Sequence, residues 1–210
     1  MTIVTHERVR AAIGAMMKSV PGIGIVHPYE RYAKNSEGFQ SLYAWQPDGQ
    51  AVPELRGWFI HRRATRDYVK TQSLNRVESD WLIKGYFGWV DARATVLIAD
   101  TIIEALLRAF RRDPTLGGIV ERPRASTEVP IGLTLVESAP YMFGGLLAHG
   151  VTFNLTTTHY EDAHAPVEAL ADLETIHANW ELPPRALTGP ELPDDDNAVA
   201  SDHLTKLNED

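Results

Sequence analysis

The chain contains no cysteine. Disulfides, thiolate zinc sites, iron–sulfur clusters and cysteine nucleophiles are excluded, a usage in keeping with a reducing compartment. No apolar run approaches the ~18 residues that a membrane-spanning helix needs. The apolar core of an export signal is missing too, since Thr5-His6-Glu7-Arg8 interrupts at once. The Asn154-Leu155-Thr156 sequon is therefore read as chance. Gly22-Ile23-Gly24 lacks a third glycine and follows a helical pattern, the wrong setting for a dinucleotide loop. Neither a Walker lysine motif, a Gly-x-Ser-x-Gly elbow nor a His-Glu-x-x-His pair occurs.

What is present is an ordinary globular composition, 44% hydrophobic and 23% charged over 210 residues, enough for one medium domain with an appendage. The charge is uneven. Residues 161–210 carry 13 acidic and 2 basic side chains, a net of −11, whereas residues 1–160 carry a net of +3. Arginine outnumbers lysine 15 to 5, which suits bidentate contacts to carboxylates and phosphates.

Periodicity supplies the elements. Thr5 is an N-cap, followed by Val9, Ala12, Ile13, Met16, Met17 and Val20 on one helical face, and Pro21-Gly22 ends the helix. Residues 23–33 read as an edge strand because of Pro28, and residues 34–54 as loop with a short strand near Leu42 to Trp45. Leu55 to Arg63 and Asp80 to Val90 alternate as strands, with residues 64–78 between them a short helix or irregular excursion. Asp91 caps the longest helix, which carries Val96, Ala99, Ile102, Ile103, Leu106, Leu107 and Phe110 and ends in Arg108, Arg111 and Arg112. Short strands are expected at Ile119 to Arg122 and Gly132 to Glu137, a loop from Pro140 to Gly145, and a long strand from Leu146 to His159. The fold class is α+β: an antiparallel sheet flanked by two main helices, with a C-terminal helical and disordered extension. The domain is placed at residues 1–162 and the acidic extension at 163–210, with a short helix about 166–180 (Val167, Leu170, Leu173, Ile176, Trp180) and then a mobile tail.

Chemistry-bearing residues are scattered. His159-Tyr160-Glu161-Asp162-Ala163-His164 is the only local cluster of potential metal ligands, more simply a hydrated strand end. Asp194-Asp195-Asp196 lacks the spacing of a calcium loop. Glu137, Asp91 and Glu104 are carboxylates with nothing to pair them, and Trp58, Trp81 and Trp89 at strand spacing read as core before they read as a stacking platform. No cofactor and no metal is expected. The densest basic stretch holds Arg56, Arg62, Arg63, Arg66, Lys70 and Arg76, diluted by Glu54, Asp67 and Glu78, and no nucleic-acid motif accompanies it.

The order of elements resembles the tail terminator proteins of long-tailed bacteriophages. The resemblance is carried by the opening helix with Arg8-Val9-Arg10-Ala11-Ala12-Ile13, the strands around Gly57-Trp58-Phe59-Ile60-His61-Arg62 and Trp81-Leu82-Ile83-Lys84-Gly85-Tyr86-Phe87, the helix from Asp91 to Arg112, and the closing strand through Val151-Thr152-Phe153-Asn154-Leu155. It covers residues 1–160, and the acidic extension exceeds the family pattern. It implies a structural, non-enzymatic virion protein of the neck, assembled in the host cytoplasm as a hexameric ring. That ring would cap the tail tube protein, end tube polymerisation and meet a head-side connector, adaptor or collar protein, and a sheath protein if the tail contracts. DNA would only pass through the lumen, and no membrane is involved. Under this resemblance Arg62, Arg63, Arg66, Arg76, Arg111 and Arg112 are candidates for the lumen or subunit interface, and Asp194, Asp195 and Asp196 for a partner contact. The alternatives are a head–tail adaptor or tail completion protein, a small hydrolase or transferase built from dispersed His and carboxylate residues, and a nucleic-acid accessory protein.

Overall fold

Thr5 begins the first helix, α1 (His6–Lys18), by accepting a hydrogen bond from the Arg8 backbone N–H through its side chain. Val9, Ile13 and Met17 form its buried stripe, and the chain leaves through Gly22 at φ 71°. In the computed structural model, residues 3–47, 49, 51–90, 94–123, 132–163, 175–181 and 198–205 are described. After α1 come β1 (Ile25–His27), α2 (Ser36–Leu42), β2 (Ala44–Trp45), β3 (Glu54–Thr71), β4 (Leu74–Gly88), α3 (Thr95–Arg112), β5 (Leu133–Phe143) and β6 (Leu146–Asp162). The fold is mixed α+β. One sheet has the order β1-β3-β4-β6-β5, with β2 also on β3. All neighbours are antiparallel except β1, which runs parallel to β3 with Ile25 opposite Gly57.

One face of the sheet carries α1 and α3. Trp58, Ile60, Trp81, Ile83, Phe87, Val151, Phe153 and Leu155 pack there against Val9, Ile13, Met17, Ile102, Ile103, Leu106 and Phe110. On the other face α2 covers only part of the sheet, through an aromatic cluster of Phe39, Tyr43, Phe59 and Tyr86. Burial there pushes the Tyr43 phenol up to about 12. The core is pinned by two tryptophans. Trp58 Nε1 donates to the Ile23 carbonyl at 2.8 Å, and Trp81 Nε1 to Thr157 Oγ1 at 2.8 Å.

Several elements differ from the sequence reading. Residues 64–78 form neither helix nor excursion: β3 continues to Thr71 and β4 starts at Leu74, making one long hairpin. Thr65, Tyr68, Val69 and Thr71 favour extended chain, and the turn at Gln72-Ser73 has neither glycine nor proline to announce it. Within 34–54 a helix, α2, forms because Asn35 caps it by accepting from the Gly38 N–H at 2.9 Å. α3 starts at Thr95, not at Asp91, which lies outside the described residues. Ala94 precedes it at φ 47°, and Thr95 Oγ1 accepts from the Val90 N–H at 3.0 Å. No strand forms at Ile119 to Arg122. The Asp113 carboxylate instead ties a turn by accepting from Thr115 and Gly117, bonds that hold its pKa below the ordinary carboxylate value. β5 runs through Pro140 to Phe143, which an edge strand tolerates.

The chain divides into two compact units, Met1–Ala163 and His164–Asp210. In the second, β7 (Thr175–Glu181) pairs antiparallel with β8 (Ala198–Thr205), with Ile176 opposite Leu204. The helix expected over 166–180 therefore gives way to strand from Thr175 onward, in keeping with the period-two alternation of Ile176, Ala178 and Trp180 among polar neighbours. β8 occupies part of the stretch expected to be a mobile tail, and the rest of 164–210 lies outside the described residues.

A chain ending at Ala163 should fold and keep the fluorescence signature of buried Trp58 and Trp81. An emission spectrum like that of the unfolded chain would show that the first unit depends on the second. Gly85 lies against the Trp58 ring with no room for a Cβ. Gly85→Ala should lower the urea midpoint by an amount corresponding to ~1–3 kcal/mol of overpacking.

Candidate interaction surface on the long hairpin

β1 and β2 cover β3 only at Gly57–Phe59 and Glu54–Leu55. From Ile60 to Thr71 the outer edge of β3 has no strand partner among the described residues, and residues 63–71 are exposed. The far half of the hairpin thus extends beyond the strands that cover its base. Its charges are arranged as cross-strand pairs. Arg66 stands opposite Glu78, and its guanidinium reaches Glu78 Oε1 at 2.9 Å and Asp80 Oδ2 at 2.7 Å. Asp80 Oδ1 also accepts from Thr156 at 2.8 Å. Arg76, opposite Tyr68, contacts Glu121 at 3.4 Å and lies 5.8 Å above the Tyr68 ring. Lys70 donates to Tyr160 Oη at 3.2 Å, and Tyr160 donates to Glu121.

The six candidate arginines therefore separate into three groups. Arg66 and Arg76 are neutralised within the hairpin and its neighbours. Arg62 and Arg63 make no ion pair among the described residues and sit at a bulge, where Arg63 is the extra residue of β3 between Arg62 and Ala64. Arg111 and Arg112 are exposed in the last turn of α3, where they offset the helix dipole. Asp194, Asp195 and Asp196 lie outside the described residues. Next to the bulge is a cavity of about 420 Å³ lined by Arg63, Ala64, Asp80, Trp81, Asn154, Leu155 and Thr156.

Among the described residues the enzyme-like candidates form no common site. Glu137 is exposed on β5 and Glu104 on α3. Trp58 and Trp81 are core residues. His159 is 1% exposed, with Nε2 2.9 Å from Glu161 Oε1, and His164 lies outside the described residues. Among the described residues no three potential ligands gather for a metal.

One pair escaped the sequence reading. His149 Nε2 and Ser138 Oγ are 2.9 Å apart across the β5–β6 pair. Only the strand register brings the two together, so residue spacing carried no signal for it. His149 is 4% exposed, and its Nδ1 is buried without a hydrogen-bond partner. Burial pushes its pKa below the ordinary imidazole value, with the Asp100 charge opposing. A neutral imidazole can take a proton from a serine, but a catalytic one is oriented by a third group on its other nitrogen, and none holds Nδ1 here among the described residues.

No protein-family model matches the chain, and no curated protein is significantly similar to it.

Because the folded state binds the His149 proton more weakly than the unfolded chain, stability should be complete above about pH 6.5 and fall as pH drops through that value toward the lower folded pKa. His149→Asn should flatten this part of the acid limb in denaturation curves taken at successive pH values. An unchanged slope would show that His149 contributes nothing to it.

Proposed function

We propose that the protein is a self-assembling structural component of a phage neck, a ring that caps the tail tube and joins it to the head-side connector. The observation that carries this reading is the long hairpin of β3 and β4. Its outer strand presents a basic edge, exposed from Arg63 to Thr71, while the ion pairs of Arg66 leave Arg62 and Arg63 for a partner. One further feature supports it: the two open strand edges fall on opposite sides of one sheet. A repeated unlike-to-unlike contact closes into a ring when its rotation divides a full turn. In this reading Arg62 and Arg63 face the neighbouring subunit or the lumen, and the acidic stretch containing Asp194, Asp195 and Asp196 contacts another neck protein. The ring belongs to the virion, assembles in the cytoplasm of the host, holds no cofactor and meets DNA only in passage.

Native mass spectrometry over a concentration series, with and without purified tail tubes, tests the proposal. A closed oligomer, hexameric on the family resemblance, supports it; a monomer under every condition, tubes included, overturns it. Arg62→Glu with Arg63→Glu should abolish that oligomer while changing stability by no more than ~1 kcal/mol, because Arg63 is exposed, Arg62 half-exposed, and neither holds an ion pair among the described residues.

A further inference from the structure

The sheet ends in two unlike open edges. At one side is β3 from Ile60 to Thr71; at the other is β5, which pairs only with β6 among the described residues. Open edges of this kind are templates for another chain. The first carries Arg62, Arg63, Arg66 and Lys70 against one Asp67, whereas β5 carries Glu137 and no basic residue. Each also exposes large apolar side chains: Val69 at 83% and Tyr68 at 47% on one, Val136 at 56% and Leu135 at 39% on the other.

From this arrangement we infer that the occupant of the β5 edge is the β3 edge of a second copy of the same chain, added as an antiparallel strand. The direction follows from the topology. β3, β4, β6 and β5 alternate, so β5 runs opposite to β3, and a rotation about an axis along the strands keeps β3 of the next copy opposite to β5 of the first.

The register follows from sheet geometry. Leu135 is level with Phe153, Ile83 and Ile60 across the sheet. In sheets that close around an axis, strands tilt by ~40°. Across four strands spaced ~4.8 Å apart, that offsets the next copy by ~16 Å, about five residues along the strand. Only an offset toward the hairpin tip avoids β1, which occupies Gly57–Phe59. Leu135 then meets β3 near Thr65, Glu137 faces the bulge at Arg63, and Pro140, which has no N–H to donate, falls toward the end of the overlap. Unneutralised arginines thus meet the carboxylate of the opposite edge. The inference rests on the ring reading for closure of the series, not for the pairing itself.

The absence of cysteine permits a direct test. Thr65→Cys is combined in the full-length protein with Thr134→Cys, Leu135→Cys or Val136→Cys, and each double variant is oxidised over a concentration series. At least one should give a ladder of covalent oligomers beyond the dimer, which no single variant gives. A disulfide dimer of Thr65→Cys alone would mean that like edges meet and would overturn the inference. A closed oligomer by native mass spectrometry with no cross-link in any double variant would overturn the pairing and leave the ring reading standing. Monomers throughout, uncross-linked, would overturn both.

Discussion

The indole of Trp58 is the contact on which the rest of the first unit depends. Its ring stands on the backbone of Gly85 in the next strand, meets Phe87 edge-on at 5.4 Å and stacks at 6.0 Å from Phe153 two strands away. Its N–H holds the Ile23 carbonyl, which fixes the chain between α1 and β1. One side chain therefore packs across three strands and fixes the path by which the first helix joins the sheet. A large aromatic can lie so low only where a neighbouring strand offers no Cβ, so Trp58 and Gly85 work as one unit. α1 and α3 then settle on the surface this pair defines.

Much of the architecture was legible because its signals are periodic. α1 shows its apolar stripe and its Thr5 cap, and the alternation around Trp58 and Trp81 marks the centres of β3 and β4. The places where reading failed share a cause: tertiary context outweighed a local cue. Proline at 140 signals a loop, yet β5 needs no outward donor there. Gln72-Ser73 gives no turn signal, yet the paired charges of Arg66 and Glu78 zip the strands on either side. Asp91 has the chemistry of a cap, but the first bonds of α3 go to the Ala94 carbonyl, from the N–H groups of Leu97 and Ile98. In the second unit the alternation of Ile176, Ala178 and Trp180 competed with a three-and-four spacing drawn partly from residues before it.

The candidate surface was half legible. Its basic character stands in the sequence, but which arginines are spent internally does not. Arg66 and Arg76 look like Arg62 and Arg63 until the register places Glu78, Asp80 and Glu121 beside them. The hairpin thus balances part of its own charge in surface pairs, each worth little to stability. What they supply instead is order along the outer strand, β3, whose far half has only β4 beside it, whereas β4 is itself paired with β6 as far as Leu74 and Asp162.

The closing strand has one more role. β6 lies between β4 and β5, and beyond Leu133, where β5 starts, its outer edge receives the segment at Ile3 and Val4: Ile3 bridges Tyr160 and the Val4 N–H donates to the Tyr160 carbonyl. A central strand of the sheet is thus the last piece of the unit to be synthesised. On the ribosome, α1 can form early, yet half of the floor it rests on is missing until residues around 160 have left the exit tunnel. Contacts so far apart in sequence are of the kind that slow folding, because the loop between them must close before they form.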